Sequence, residues 1–211
     1  MKTALVAGAT GLVGRQLVSM LVESERYERI KCLTRTPVVY KSAKIINLVA
    51  DLDSLPSQTE SLKADDIFCC LGTTMKVAGS EEAFRQVDFD YPLRLAKLCK
   101  EQGAKQFLLV SALGADSDSK VFYNQVKGEV EAAISKVDFQ SFHIFRPSLL
   151  LGPRTEQRAG EKAAKVVMNV FDFLIPKKYK AIESSKVARA MLRSASEDLP
   201  GKHMHESHEM Q

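Results

Sequence analysis

What this chain has little of narrows its function before any motif is considered. No apolar run reaches the ~20 residues that a helix needs to cross a bilayer, so no membrane span is expected. The first apolar run starts straight after a charged beginning, leaving no room for a secretory leader, and a cytosolic protein is expected. Aromatic residues are sparse, and they do not interleave with the basic ones. The net charge is only +4, spread over mixed lysines, arginines and acids, so no nucleic-acid surface is indicated. Cysteines number four. Cys32 and the Cys69–Cys70 pair fall in strand-like runs and Cys99 in a helical one, without the repeated short spacing of a zinc site; they read as reduced, buried small hydrophobes. Internal repeats and low-complexity linkers are absent. The last residues, with His203, His205 and His208, read as a frayed tail from about 200 to 211, and no functional metal is expected there, because a metal site needs supporting groups around its ligands.

What is present begins with Gly8-x-x-Gly11-x-x-Gly14. It follows the apolar run Ala4–Ala7 and opens an amphipathic stretch from Leu12 to about Val22, the strand–turn–helix context that makes a glycine pattern a dinucleotide site. Gly8 permits the sharp turn, Gly11 removes the side chain that would block a pyrophosphate, and Gly14 allows close helix–strand packing. The helix N-terminus offers free N–H groups and positive dipole to phosphates.

Further short apolar runs follow at Ile30–Leu33, Ile45–Val49, Ile67–Leu71, Phe107–Val110 and Phe142–Phe145, rich in Val, Ile, Leu and Phe as in strands buried on both faces. A long helix is predicted from about Glu81 to Gln102, with Ser80 as its N-cap, acids in its first turn, and Pro92 inside it to kink or split it. The alternation predicts an α/β fold: one doubly wound parallel sheet in a single domain spanning 1–211. Beyond Pro147 the pattern turns helical, near 160–174 and 184–194. A small substrate cap over the carboxyl edge of the sheet is expected from about 148 to 195.

An NAD-preferring site would place an acid at the end of the second strand to hold the ribose hydroxyls. That strand ends instead in Leu33-Thr34-Arg35-Thr36-Pro37, and Arg35 is placed to meet a ribose 2′-phosphate, so NADP(H) is the expected cofactor. Asp51 and Leu52 end the third strand where an adenine would lie, and Leu71, Gly72 and the following threonines end the fourth near pyrophosphate and ribose. Tyr123 and Lys127, four apart on a predicted helix, share a face. A nearby ammonium stabilises phenolate, bringing the tyrosine toward acid–base work at neutral pH. Ser111, at the end of the fifth strand, is placed to hydrogen-bond a substrate carbonyl.

With these residues together, the chain resembles the short-chain dehydrogenases/reductases. The glycine spacing is that of their extended and atypical branches. The segments Ser111–Asp116 (SALGAD), Tyr123–Glu131 (YNQVKGEVE) and Phe145–Arg154 (FRPSLLLGPR) resemble the HIV Tat-interacting oxidoreductase-like group of atypical members, over about residues 1–195. The resemblance implies a Rossmann fold with NADPH in its cleft. Thr10, Gly11, Leu12 and Val13 would line the phosphates beside Gly8 and Gly14, Arg35 the 2′-phosphate, and Leu71 and Gly72 the central region. Tyr123 and Lys127 would flank the nicotinamide ribose, with Leu150 near the carboxamide and Arg158 a basic cofactor contact. One departure is visible. Many members use an asparagine in the long helix to seat a relay water, whereas the comparable stretch here is Val87-Asp88-Phe89-Asp90.

The reading is an NADPH-dependent oxidoreductase acting on a small carbonyl or alcohol substrate, with Ser111, Tyr123 and Lys127 as the catalytic set, working as a monomer or homodimer without nucleic-acid or membrane partners. Its rivals are an NAD(P)-dependent epimerase or dehydratase, for which the segment after Pro147 is short, and an NADPH-binding redox sensor or scaffold with little turnover.

Overall fold

The computed structural model describes residues 1–53, 55–152 and 179–211. Six strands appear where the apolar runs stand: β1 (Lys2–Ala7), β2 (Tyr27–Thr34), β3 (Ile45–Val49), β4 (Asp66–Cys69), β5 (Gln106–Val110) and β6 (Ser141–Arg146). With β9 (Gly201–Glu206) they form a seven-stranded sheet in the order β3-β2-β1-β4-β5-β6-β9, every neighbouring pair parallel. A two-stranded sheet of β7 (Leu150–Leu151) and β8 (Ile182–Glu183) sits apart. Strand order reverses between β1 and β4, which opens a crevice outside their carboxyl ends.

Successive residues of a strand face opposite sides, and the sheet uses both. Val6, Phe68, Leu108 and Phe145 pack under α1 (Leu12–Glu23) through Leu17 and Leu21, and under α6 (Ser184–Glu197) through Val187 and Met191. Leu5, Ile67, Phe107 and Ile144 pack on the other side against α4 (Tyr91–Glu101) and α5 (Phe122–Ser135), through Leu95, Cys99, Val130 and Ile134. All four cysteines are free thiols, three of them buried.

Two expectations for the carboxyl-terminal part are corrected. The helix over 184–194 exists, but as α6 it covers a face of the sheet beside α1 rather than its carboxyl edge, because its apolar stripe faces the core. The expected helix near 160–174 lies outside the described residues. The expected frayed tail is the edge strand β9, in register with β6 through His143–His203 and Phe145–His205. Its alternation Lys202-His203-Met204-His205 turns the histidines inward, where a polar composition concealed the period.

His143 is 1% exposed, its Nε2 3.0 Å from Ser141 Oγ and its Nδ1 3.0 Å from His205 Nε2, with His203 stacked on it at 4.8 Å. Burial, then the charges that His205 and His203 would carry, depress its pKa from 6.5 to about 4. A depressed folded value means that the unfolded chain binds the extra proton first. This contribution to stability is whole above pH ~6.5 and is lost as pH falls toward 4. Denaturant titrations should show His143 alone costing on the order of 2–3 kcal/mol between pH 7 and pH 4, with a shallower pH dependence in His143→Phe. An equal dependence in both proteins would refute the assignment.

The long helical stretch is broken as Pro92 foretold. It runs as α3 (Glu81–Arg85), a π-turn over Gln86–Asp90 and then α4, with Pro92 in the first turn of α4. Ser80 Oγ caps α3 by accepting from Ala83 N at 3.1 Å. A proline lacks the N–H that would bond the carbonyl four residues back, and its ring crowds that carbonyl. The residue four before Pro92 is Asp88, and the helix widens there. Such single wide turns often accompany functional sites, and this one carries the Asp88 carboxylate inward.

Candidate active site

At the crevice, the glycine turn joins β1 to α1. Gly8 has φ +78°, and a Cβ on it would lie 2.5 Å from the Cys70 carbonyl oxygen. A Cβ on Gly14 would lie 2.1 Å from the Gly8 carbonyl oxygen, so helix and turn approach as closely as only glycine allows. Gly11 caps α1 without a side-chain hydrogen bond, and no acid stands in the first turn, which leaves the helix N-terminus available to an anion. A Cβ at Gly11 would meet only the Gly8 carbonyl oxygen, at 3.2 Å, and would otherwise project into the space a phosphate would occupy. These residues fit a dinucleotide pyrophosphate.

From this turn a cleft of about 690 Å³ extends over the carboxyl ends of β4, β5 and β6, within the usual range for small-molecule sites. Nine of the residues expected from the sequence line it: Gly11, Leu12, Val13, Leu71, Gly72, Ser111, Tyr123, Lys127 and Leu150. Leu113, Leu149 and Tyr179 form much of the remaining wall.

Tyr123 and Lys127 project from one face of α5, as their spacing requires. The Tyr123 ring leans on Phe84, centroids 5.4 Å apart. Lys127 is buried, and its Nζ lies 2.7 Å from Asp88 Oδ1 in an ion pair rather than an aligned hydrogen bond. Asp88 Oδ2 accepts from Thr73 N at 2.8 Å, tying the β4 loop to the same carboxylate. Burial is the largest influence and works against the Lys127 ammonium, but Asp88, with Tyr123 and Cys69, together more than offset it and hold the lysine pKa above its ordinary value. The Tyr123 pKa is raised, chiefly by burial; Lys127 pulls it down and Asp88 pushes it up.

The third member behaves differently from expectation. Ser111 Oγ donates to Glu131 Oε1 at 2.5 Å, and Glu131 is held at both oxygens by Arg146, Nε at 3.0 Å and Nη2 at 2.5 Å. The hydroxyl proton of Ser111 is therefore engaged, and the serine offers lone pairs to the cleft rather than a donor to a carbonyl. Glu131 stands one helical turn beyond Lys127, so Tyr123, Lys127 and Glu131 form a ladder at i, i+4, i+8. The spacing was in the sequence, but its meaning depends on Arg146 arriving from β6.

Other expected contacts lie farther out. Thr10 is exposed beside the turn, and Arg35 is exposed at the end of β2 with no ion pair among the described residues. Asp51 is exposed, its Oδ1 accepting from Asp53 N at 3.1 Å. Leu52 departs from expectation: only 6% exposed, it packs with Leu33, Ala50 and Leu62 in the core, leaving no face for an adenine. Arg158 lies outside the described residues. Among the described residues no group of three or more His, Cys, Asp or Glu is arranged to hold a metal ion.

The NAD(P)H-binding family model matches residues 8–198, spanning the turn, the cleft and α6. The chain belongs to this NAD(P)H-binding family. Protein HTATIP2 of Rattus norvegicus is 36% identical over 168 residues, covering 78% of this chain and 69% of the relative, in agreement with the resemblance carried by the Tyr123–Glu131 segment. Protein FMP52, mitochondrial, of Candida albicans is 35% identical over 170 residues, covering 78% and 74%. Among solved structures, MoeE5 in complex with UDP-glucose and NAD superposes with a TM-score of 0.74 at 18% identity, covering 96% of this chain and 74% of that one. A UDP-N-acetylglucosamine 4-epimerase from Methanobrevibacter ruminantium M1 gives 0.73 at 15% identity, with 97% and 76% covered. These likenesses show a shared fold.

The expected cytosolic placement is overturned by the relatives named mitochondrial, which include FMP52 proteins of Candida albicans, Debaryomyces hansenii and Eremothecium gossypii. Among the described residues no helix is long and apolar enough to cross a membrane, and that says nothing about the compartment.

Proposed function

We propose that this protein is an NADPH-dependent oxidoreductase that interconverts a small carbonyl compound and its alcohol. The observation that carries the reading is the convergence of Tyr123, Lys127 and Ser111 with the glycine turn in one cleft at the point where strand order reverses. When bound, the nicotinamide supplies or accepts the hydride. Tyr123 gives its hydroxyl proton to the carbonyl oxygen in reduction and recovers one from solvent. Lys127 stands behind the phenol and beside the position of the ribose. Ser111, its own proton held by Glu131, accepts a hydrogen bond and so orients the hydroxyl of tyrosine or alcohol.

The absence of an acid after β2 and the exposed Arg35, without an ion pair among the described residues, support NADPH over NADH. Arg35→Ala is expected to weaken NADPH binding by ~2–4 kcal/mol, the loss of a charge-assisted contact to the 2′-phosphate, while leaving NADH nearly unchanged. Calorimetric titration with both cofactors reads this directly, and equal losses would sink the preference. A panel of aldehydes and ketones assayed for NADPH oxidation tests turnover in parallel. Tight binding without turnover on any of them would favour a sensor or scaffold over the enzyme.

A further inference from the structure

The π-turn before α4 brings the Asp88 carboxylate to the Lys127 ammonium at the foot of the cleft. We infer that Asp88 is a positioning residue that holds the Lys127 ammonium from behind and thereby keeps Tyr123 in its protonated, proton-donating form, biasing the site toward carbonyl reduction. The inference rests on the reading of Tyr123 as the acid.

The geometry is specific. The Asp88 side chain is fully buried and that of Lys127 is only 6% exposed, with Nζ and Oδ1 2.7 Å apart. A neutral amide in its place would leave the lysine charge to act on the phenol alone; a carboxylate at this distance offsets it. An unopposed ammonium nearby lowers a tyrosine pKa, and a second, opposite charge takes that help away.

The other polar and charged groups around the cleft do not compete for this role. Cys69 of β4 is buried, its thiol pushed up to about 12 by burial, and so is uncharged at neutral pH. Ser111, just past β5, and Glu131 of α5 are closed into the network with Arg146 of β6. Arg85 of α3 is paired with Glu129 at 2.6 Å, and Phe84 presents only its ring. Among the described residues, the charges that act on the phenol are Lys127 and Asp88. Proton and electron accounting is unchanged: hydride adds to the carbonyl carbon, and the Tyr123 O–H bond breaks to give its proton to the carbonyl oxygen.

The chain has five tyrosines and no tryptophan, so ultraviolet tyrosinate absorbance reads tyrosine ionisation without interference. Subtracting the titration of Tyr123→Phe isolates Tyr123. Asp88→Asn, which keeps an acceptor for Thr73 N but drops the charge, should lower the Tyr123 midpoint by at least ~1 pH unit, the scale of a single charge at close range. Asp88→Ala should move it in the same direction. An unshifted or raised midpoint in either folded variant overturns the proposal; a purely structural Asp88 would change the melting temperature and leave the midpoint in place. If both variants fail to fold, Lys127→Met in the Asp88→Asn background removes both charges together. Its midpoint should stay within ~0.5 unit of wild type, and a larger fall overturns the charge-balance account. The titration needs neither substrate nor cofactor, so it stands apart from any failure to find turnover. Where a reducible carbonyl is found, Asp88→Asn should lose reductase activity at a lower pH than wild type, and coincident pH profiles would contradict the inference.

Discussion

Replacing Lys127 with alanine is expected to destabilise the fold by about 3–5 kcal/mol, the usual cost of leaving one partner of a buried ion pair uncompensated. The loss comes from what remains behind. Asp88 is fully buried; among the described residues its only cation is Lys127 at 2.7 Å, and its one hydrogen bond, from Thr73 N, does not neutralise a carboxylate. Urea denaturation at neutral pH measures the loss. The double variant Lys127→Ala with Asp88→Asn should recover much of it, since the amide no longer needs a counter-charge, and the strong non-additivity identifies the two as a coupled pair. A loss below ~1 kcal/mol, in the range of a solvent-exposed pair, would contradict the burial. Cofactor affinity and turnover should fall in the same variant, so activity alone does not separate the lysine's structural role from its chemical one.

Tyr123→Phe should do the opposite, leaving the fold nearly intact while removing the chemistry. The ring packs on Phe84 at 5.4 Å, and among the described residues the hydroxyl makes no hydrogen bond whose loss would be felt on folding. If that hydroxyl is the proton donor, turnover on any carbonyl substrate should drop by at least ~10²-fold, the ordinary contribution of a positioned general acid. NADPH affinity, measured by titration, should change little. Near-normal turnover with the cofactor site intact would remove the tyrosine mechanism from consideration and leave only the binding function of the cleft.

The two variants separate what the sequence made legible from what it did not. Strands β1, β4, β5 and β6 were legible because a parallel strand covered on both faces is nearly continuously apolar, and such runs stand out from helical periodicity; β3 showed as an apolar run although its residues are only half-buried or exposed, and β2 only over its buried second half. The glycine turn was legible for a similar reason: backbone at Gly8 and Gly14 meets other backbone at 2.5 and 2.1 Å, a closeness that excludes every side chain and leaves its mark at fixed spacing. Tyr123 and Lys127 were legible as a pair because helical spacing alone puts them on one face. Strand β9 was not legible, since an edge strand facing a histidine stack needs no apolar run. The packing of α6 beside α1 escaped for a related reason: an amphipathic stripe tells that a helix is half-buried, not which surface it covers.

By itself, then, the sequence determined the fold class, the dinucleotide turn and the facing of tyrosine and lysine, all consequences of local periodicity and backbone sterics. Only the tertiary structure decided the partners of the reacting groups. Asp88 reaches Lys127 because Pro92 widens the helix four residues earlier, and Glu131 accepts the Ser111 hydrogen bond while Arg146 comes to it from a strand beyond α5. Charge pairing depends on distance through space, and residues 39 or 15 apart in the chain carry no local signal that they will meet within 3 Å.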